Sequence, residues 1–344
     1  MLKSVSLNTR YFFAFSLLLV IVFFASISLG SVTIPLDEVF GILTGTPSER
    51  ESWNYIIQHY RLPKTITALI TGSGLAVSGL MMQTLFRNPL AGPFVLGISS
   101  GASLGVAIAV MGGAVLGGFV GELLLSRWTL VMASCLGSFL VLLAVVSVST
   151  RIKDTMAILI IGLMFGSITA AVVSVLAYFS PAEQLRQYIY WSFGSLGNNS
   201  WEGIWILLIS FAAGLFLAIF SIKPLNSLLL GENYAKSQGL DIFKSRMLIL
   251  IATCILAGVI TAFAGPVAFI GLAVPHIVRL FFKTANHQIL LPAVVLCGAI
   301  LMILCDIVAQ LPMTELTLPI NAVTSLVGAP VVIWLLVRKK KLFF

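Results

Sequence analysis

Charged residues are scarce in this chain of 344 residues. Asp, Glu, Lys and Arg together make up 9% of it, against about 25% in an ordinary soluble domain. Apolar residues make up 59% and form long runs, such as residues 11–29 and 247–264. The composition therefore excludes a water-soluble fold. Since about 20 apolar residues cross a bilayer, the chain has room for about ten spans and too little polar sequence for a second, soluble domain.

Motifs for catalysis and for nucleotide binding are also missing. The sequence has no GxxxxGKS or GxxxxGKT phosphate loop, and its three histidines are not arranged as HExxH. The four cysteines lie in apolar runs without a CxxC pair, so they are interpreted as small core residues. The sequence thus predicts a protein that is not an enzyme and has no metal or cofactor of its own.

Hydropathy predicts ten spans, which return the chain to the side on which it begins. With the N-terminus in the cytoplasm, most of the 20 basic residues fall inside. This asymmetry predicts cytoplasmic termini, and it accounts for the net charge of +8 without a nucleic-acid partner. The basic residues left outside are Arg50, Arg61, Lys64, Arg127 and Arg186. The predicted spans cover about residues 11–30, 65–86, 94–111, 128–149, 155–179, 204–222, 247–264, 267–282, 289–310 and 320–337.

Two stretches rich in glycine and proline, residues 87–93 and 265–275, interrupt the helical pattern. Each follows a glycine-rich span, and in the predicted topology those two spans run in opposite directions. Their similar placement suggests an inverted repeat of about five spans. Irregular backbone at membrane depth must pack inside protein or line a cavity, so we expect both stretches to be enclosed.

Ionisable residues inside spans are few, and Asp306 is the clearest of them. Such a residue is a functional candidate by default, because a charge in the membrane is costly. Asp306 could carry a proton or an ion in a secondary transporter. The interpretation favoured here is a structural carboxylate paired with backbone donors or with a basic group.

The longest predicted cytoplasmic connection runs from Lys223 to Arg246. Its leucines have helical spacing over residues 225–239, and Gly239 supplies a helix stop. A short amphipathic helix there would either lie on lipid or dock a soluble partner. Because the chain lacks a nucleotide site, a docked partner that hydrolyses ATP would supply the missing motor.

Several motifs follow one another from about residue 61 to residue 338. The first half carries RLPK at 61–64, GSGLAVSGLMMQ at 72–83 and RNPLA at 87–91. The second half carries GPVAFIGL at 265–272, VPH at 274–276 and GAP at 328–330. Together they resemble the FecCD family of binding-protein-dependent ABC transporter permeases, which import ferric siderophores, haem and cobalamin. The motif residues that the resemblance singles out are Gln83, Asn88, Pro89, Gly97, Gly265, Pro266, Gly271, Pro275, His276 and Asp306.

The resemblance implies a fold and a location. It predicts an all-α polytopic protein of the type II ABC importer permease fold, with residues 1–344 as one transmembrane domain. The domain would lie in the bacterial cytoplasmic, or inner, membrane. The connection at 151–155 would be a candidate inner gate from its place in the family architecture.

The resemblance also implies partners. Two cytoplasmic ATPase subunits would bind the ATP, a periplasmic or surface-anchored binding protein would deliver substrate, and a second copy or a paralogue would complete the path. Arg61 and Lys64 match the family cations that dock carboxylates of the binding protein. The region that couples to the ATPases matches residues 224–243, with Leu230, Gly231, Glu232, Ala235 and Gly239.

The expected function is import of a ferric siderophore by alternating access, driven by the separate ATPase. Haem and cobalamin are the alternatives within the family, and ion-coupled secondary transport through Asp306 is the rival. Two positions depart from the family pattern. Gln310 stands where many members carry an arginine, which is expected to weaken or relocate one docking contact. In the family, the turn at this place usually contains a glycine and has an acidic residue before the histidine. This chain has KTANH at residues 283–287 instead.

Overall fold

The computed structural model of the protein describes residues 2–116, 126–149, 155–197, 199–312, 314 and 316–337. Within these ranges the regular structure is helical throughout, with no strand. One π-helical turn, Ile57–Arg61, and one 3-10 turn, Pro93–Leu96, accompany the α-helices. The α-helices are α1 (Leu2–Ser28), α2 (Leu36–Leu43), α3 (Glu51–Ile56), α4 (Leu62–Leu85), α5 (Ile98–Leu116), α6 (Arg127–Ser149), α7 (Thr155–Phe179), α8 (Ala182–Ser192), α9 (Trp201–Phe220), α10 (Ile222–Leu229), α11 (Glu232–Ser237), α12 (Ile242–Ala264), α13 (Ile270–Phe282), α14 (His287–Ala309) and α15 (Ile320–Val337).

Each predicted span coincides with a helix, which confirms the all-α polytopic architecture. By length and composition, seven helical stretches of the described chain are long and apolar enough to cross a membrane. Three shorter apolar stretches complete the predicted ten: Ile98–Gly112 in α5, Ile270–Phe282 in α13 and Ile320–Trp334 in α15. The predicted gate at 151–155 falls almost wholly outside the described residues. The cytoplasmic position of the termini stays a prediction.

Helix α4 is the centre of the bundle. It contacts α9, α10, α12, α13 and α14, and nearly all of its side chains are buried. Small residues let the backbones of α4 and its neighbours approach closely. At Gly72 the approach leaves no room for a side chain, since a Cβ there would overlap the carbonyl oxygen of Gly298 in α14. A Cβ at Gly79 would likewise overlap the carbonyl oxygen of Gly271 in α13. The glycines of the first motif are therefore contact points between helix backbones.

The two irregular stretches, which were predicted to be enclosed, also meet each other. After α4 the backbone turns at Arg87 (φ 47°) and again at Gly97 (φ 76°). After α12 it turns at Gly265 (φ 75°) and at Phe269 (φ 64°). A Cβ built at Gly271 would touch the ring of Pro93 at 3.1 Å, so the start of α13 packs directly on the first stretch. Residues 91–93 and the start of α13 are thus covered by protein, whereas Arg87 and Leu90 of the first stretch are exposed.

The connection between α9 and α12 differs in one respect from the single amphipathic helix expected over 225–239. It forms two short helices, α10 and α11, which are separated at Gly231. The φ angle of Gly231 is 107°, which lies outside helical geometry and is open to glycine alone at little cost. The predicted helix stop at Gly239 is present, with φ 80°.

Candidate functional site

The connection between α9 and α12 exposes large apolar side chains. Leu230 is 64% exposed, Phe243 54% and Tyr234 45%. Ala235 is fully buried and anchors α11 against the rest of the chain. This segment thus has a fixed inner side and an apolar outer side, which is the character that a docking element for a soluble partner requires.

Charged contacts fasten the same segment to α12. Glu232, at the start of α11, forms an ion pair with Arg246. Asp241 caps α12 by accepting a hydrogen bond from the backbone N–H of Lys244 at 3.1 Å. This hydrogen bond lowers the pKa of Asp241 because it stabilises the carboxylate. The segment is therefore attached to α12 through α11, and Asp241 fixes where α12 begins.

Side chains from the two halves of the chain bond to each other at the irregular stretches. Arg279 donates to the side-chain oxygen of Gln83 at 2.9 Å, across 196 positions of sequence. The amide of Gln83 in turn donates to the carbonyl oxygen of Leu272 at 3.2 Å. The ring of His276 donates from Nε2 to the carbonyl oxygen of Pro89 at 2.9 Å. The structure thus brings together motif residues that the sequence could only list separately.

The remaining motif residues shape the backbone around this junction. Asn88 accepts from the backbone N–H of Leu90 at 2.9 Å and so closes the turn after α4. Pro275 is buried within α13. A Cβ at Gly265 would lie 2.7 Å from the Cα of Gly194, so the loop after α8 packs against the end of α12, beside Pro266. A place for these residues along a translocation path stays a prediction.

At the opposite end of α4, Asp306 is paired. Its carboxylate is 2% exposed and lies 3.1 Å from the ammonium group of Lys64, whose side chain is 22% exposed. Gln310 donates to the second carboxylate oxygen at 2.8 Å. Of the two roles considered for Asp306, the contacts favour the structural one, because a carboxylate held by a cation and an amide is already satisfied. Gln310, the departure from the family pattern, supports this pair.

An open cavity borders the ion pair. Its volume is about 460 Å³. Both Lys64 and Asp306 line it, together with residues 193–197 and 317–320. A second cavity, of about 290 Å³, is lined by Lys64, Gln310, Tyr60 and Arg61. Lys64 is thus reachable from two sides although it is ion-paired.

A cation that docks a partner protein should be exposed, but Arg61 is buried in this structure. The residue is 8% exposed, and its guanidinium group donates to the carbonyl oxygens of Ile27 and Ser28 at 2.8 Å each, and to that of Val32. These carbonyl oxygens lie at the end of α1 and just after it, where a helix leaves acceptors unsatisfied. Arg61 therefore closes α1 in this structure. The docking role of Arg61 and Lys64 stays a prediction, and Lys64 is the more accessible of the two.

One polar cluster was missed by the sequence analysis. It joins Asn226 of α10, His287 of α14 and Thr84 of α4. The only signal in the sequence is that each is a polar residue in or beside an apolar run. Within the described ranges, no group of three His, Cys, Asp or Glu side chains is placed to hold a metal ion, so the cluster is a hydrogen-bond network and not a metal site.

Comparison with known proteins gives consistent matches over nearly the whole chain. The model of the FecCD transport family matches residues 18–338. The vitamin B12 import system permease protein BtuC of Klebsiella pneumoniae subsp. pneumoniae is 36% identical over 333 residues, which is 97% of this chain and 95% of that protein. The protein of the same name from Salmonella typhi is 39% identical over 281 residues, 82% of this chain and 83% of its own length.

Solved structures agree with these matches. A structure described as a metal-chelate type ABC transporter in an inward-facing conformation aligns with a TM-score of 0.83 and 30% identity, covering 96% of this chain and all of that one. PsaBC from Streptococcus pneumoniae, in complex with a Fab, aligns with a TM-score of 0.53 and 17% identity, over 82% of this chain and 92% of its own. The second similarity concerns the fold alone.

Proposed function

Since the chain belongs to the FecCD transport family, and is a permease subunit of the ABC importers in that family, we propose that it carries a metal chelate inward across the bacterial cytoplasmic membrane. The observation that carries this proposal is the structural match with a metal-chelate type ABC transporter over 96% of the chain. The permease would supply the path, and the chemistry of ATP hydrolysis would take place on other subunits.

The proposed partners would dock at the two opposite ends of the bundle. Two ATPase subunits would dock at residues 224–243, where apolar side chains are exposed beside an anchored helix. A substrate-binding protein would dock at the end that holds Lys64, and a second permease subunit, identical or paralogous, would complete the path. Specificity would reside largely in the binding protein, since a permease path needs few charged contacts with its cargo.

Two substrate classes are in competition. The resemblance favours a ferric siderophore, the commonest cargo expected for the family. The relatives named vitamin B12 import permeases favour a corrinoid, and at 36% identity over 97% of the chain they support it equally well. Both are large chelates of one metal ion.

The rival mechanism, ion-coupled transport through Asp306, has less support. A carrier carboxylate must gain and lose its ion during each cycle. Asp306 is 2% exposed and is held by both Lys64 and Gln310, so release from these contacts would leave a buried charge without a partner. The pair fits a fixed structural element better than a carrier.

The function is tested by co-isolating the tagged permease with its ATPase and binding protein and reconstituting the complex in proteoliposomes. Uptake of radiolabelled ferric siderophores, haem and cobalamin is measured with and without ATP. We expect ATP-dependent accumulation of one of the two favoured chelates, which identifies the substrate class. Absence of ATP-dependent uptake of every chelate, with an ATPase that is active, would contradict the proposal.

A further inference from the structure

His287 forms hydrogen bonds with two other helices at the α10 end of the bundle. It is fully buried at the first position of α14. Its Nδ1 lies 2.8 Å from the side-chain oxygen of Asn226 in α10, and its Nε2 lies 2.8 Å from the hydroxyl of Thr84 in α4. Its backbone N–H also donates to Asn226 at 3.0 Å. One residue thus joins three helices.

The donors and acceptors of this cluster agree with one another. The side-chain oxygen of Asn226 accepts, so Nδ1 of His287 carries a proton. The amide nitrogen of Asn226 donates to Asn286 at 3.1 Å, which fixes the orientation of the amide. In the neutral ring, Nε2 accepts the single hydroxyl hydrogen of Thr84. The backbone carbonyl oxygen of Leu80, 2.9 Å from the same hydroxyl, is the competing acceptor within α4. The cluster is satisfied without a charge, which suits its buried end at His287 and Thr84, whereas Asn226 is half-buried and Asn286 is exposed.

The cluster also includes the start of α14. The side-chain oxygen of Asn286 accepts from the backbone N–H of Gln288 at 3.0 Å and so caps the helix. Leu225 and Leu228 bury the apolar face of α10 beside these bonds. Helix α10 is therefore bonded to the start of α14 through Asn226, and α14 is bonded to α4 through His287. A displacement of α10 that left α4 behind would strand buried polar groups, which costs more than moving the three helices together.

We propose that His287 is a positioning residue for energy coupling: it transmits movement of the 224–243 segment to α4 and α14, the central pair of the bundle. The inference rests on the proposed function, because it requires an ATPase to act on that segment. Through α4 the movement reaches Lys64, about 30 Å from Thr84 at about 1.5 Å per residue. The predicted binding-protein end and the predicted ATPase end are thus joined by one rigid element.

A purely stabilising histidine would give a different result from a coupling one. Loss of stability lowers uptake and ATP hydrolysis together, since both require the assembled complex. Loss of coupling lowers uptake while the ATPases continue to hydrolyse ATP. The informative quantity is therefore the number of ATP molecules hydrolysed per substrate imported, measured in proteoliposomes with the co-isolated ATPase and binding protein.

The primary variant is Thr84→Val, which removes one hydroxyl and keeps the shape of the side chain. Thr84→Ser restores the hydroxyl. The matched control is Thr71→Val, because Thr71 lies on the same helix, is fully buried, and has a hydroxyl without a hydrogen-bond partner among the described residues. His287→Leu removes both ring bonds and tests the histidine itself.

We expect Thr84→Val to raise the ratio of ATP hydrolysed to substrate imported by about three- to tenfold, the factor that one buried hydrogen bond makes in an equilibrium. His287→Leu should raise the ratio further, and Thr84→Ser and Thr71→Val should keep the wild-type ratio. A wild-type ratio in both Thr84→Val and His287→Leu, or a proportional fall of uptake and hydrolysis, would overturn the inference. If the wild-type complex itself shows no ATP-dependent uptake, the proposed function fails instead.

Discussion

The helix pair α4–α14 is fastened at its two ends by contacts of different kinds. At one end Lys64 and Asp306 form an ion pair that borders two open cavities, and Lys64 is 22% exposed. At the other end His287 is fully buried in a network of neutral hydrogen bonds. Water and salt can reach the ammonium group of Lys64 although Asp306 is buried, whereas the bond between His287 and Thr84 is buried and carries no net charge. The difference predicts one end that responds to salt and one end that does not.

The largest expected effect comes from breaking the ion pair. Lys64→Met leaves the carboxylate of Asp306, which is 2% exposed, without its cation. We expect this variant to lose about 3 kcal/mol of stability, as is typical when one partner of a buried pair is removed. Thermal and denaturant unfolding in detergent micelles would measure the loss.

The matched control replaces both partners. Lys64→Met combined with Asp306→Leu removes the buried charge, so the double variant should recover most of the stability lost by the single one. A double variant as unstable as Lys64→Met would show that the stranded carboxylate is not the cause. Asp306→Asn, which leaves Lys64 in place, should retain ATP-dependent uptake, a result that the carrier role of Asp306 forbids.

The next largest loss of stability is expected at the middle of the helix pair α4–α14. Gly72→Ala places a methyl group on the carbonyl oxygen of Gly298 and must force α4 and α14 apart. We expect a loss of about 1–3 kcal/mol, the usual cost of overpacking. Gly112→Ala on α5 is the control, because its nearest contact for a new Cβ is at 4.0 Å. Equal stability of the two variants would mean that the contact between α4 and α14 tolerates separation.

A smaller effect is expected in how the interactions at the two ends of the α4–α14 pair depend on salt. Double-mutant cycles measure the coupling energy between Lys64 and Asp306, and between Thr84 and His287, at low and at high salt. We expect the first coupling to fall by some tenths of a kcal/mol as salt rises, because Lys64 is reachable from water, and the second, about 1 kcal/mol, to stay constant. Equal salt dependence of the two couplings would remove the distinction between the ends.

The smallest effect concerns the predicted docking of the binding protein. Gln310→Arg adds a cation at the rim of the cavity that Lys64 and Arg61 also line. It should increase the association rate of the binding protein by a few-fold at low salt and hardly at all at high salt. Surface-immobilised complex in nanodiscs would give the rates. An unchanged rate at low salt would argue that the binding protein does not approach this end.

The spans could be predicted from sequence because a bilayer demands long apolar runs whatever their neighbours are. The contacts between particular helices could not be predicted in this way. Side chains that face lipid and side chains that face protein are equally apolar, so the pattern does not give the rotation of a helix about its axis. The bond between Thr84 and His287 joins positions 203 apart and depends on that rotation in two helices.

Arg61 shows the same limit at a helix end. Its charge and its place near the start of a span predicted a position at the membrane surface, and the span indeed begins there. Its burial arises from the end of α1, whose free carbonyl oxygens lie beside it only once the chain has folded. The sequence contains no local pattern that records this contact.

The account depends on the chain being a passive path that is powered by another subunit. The most direct measurement places the purified chain alone in vesicles, imposes a proton or sodium gradient, and follows the chelate identified with the full complex. Parallel vesicles receive the ATPase, the binding protein and ATP. The account predicts no accumulation by the chain alone under any gradient, and accumulation in the complete set. Uphill uptake by the chain alone would contradict it.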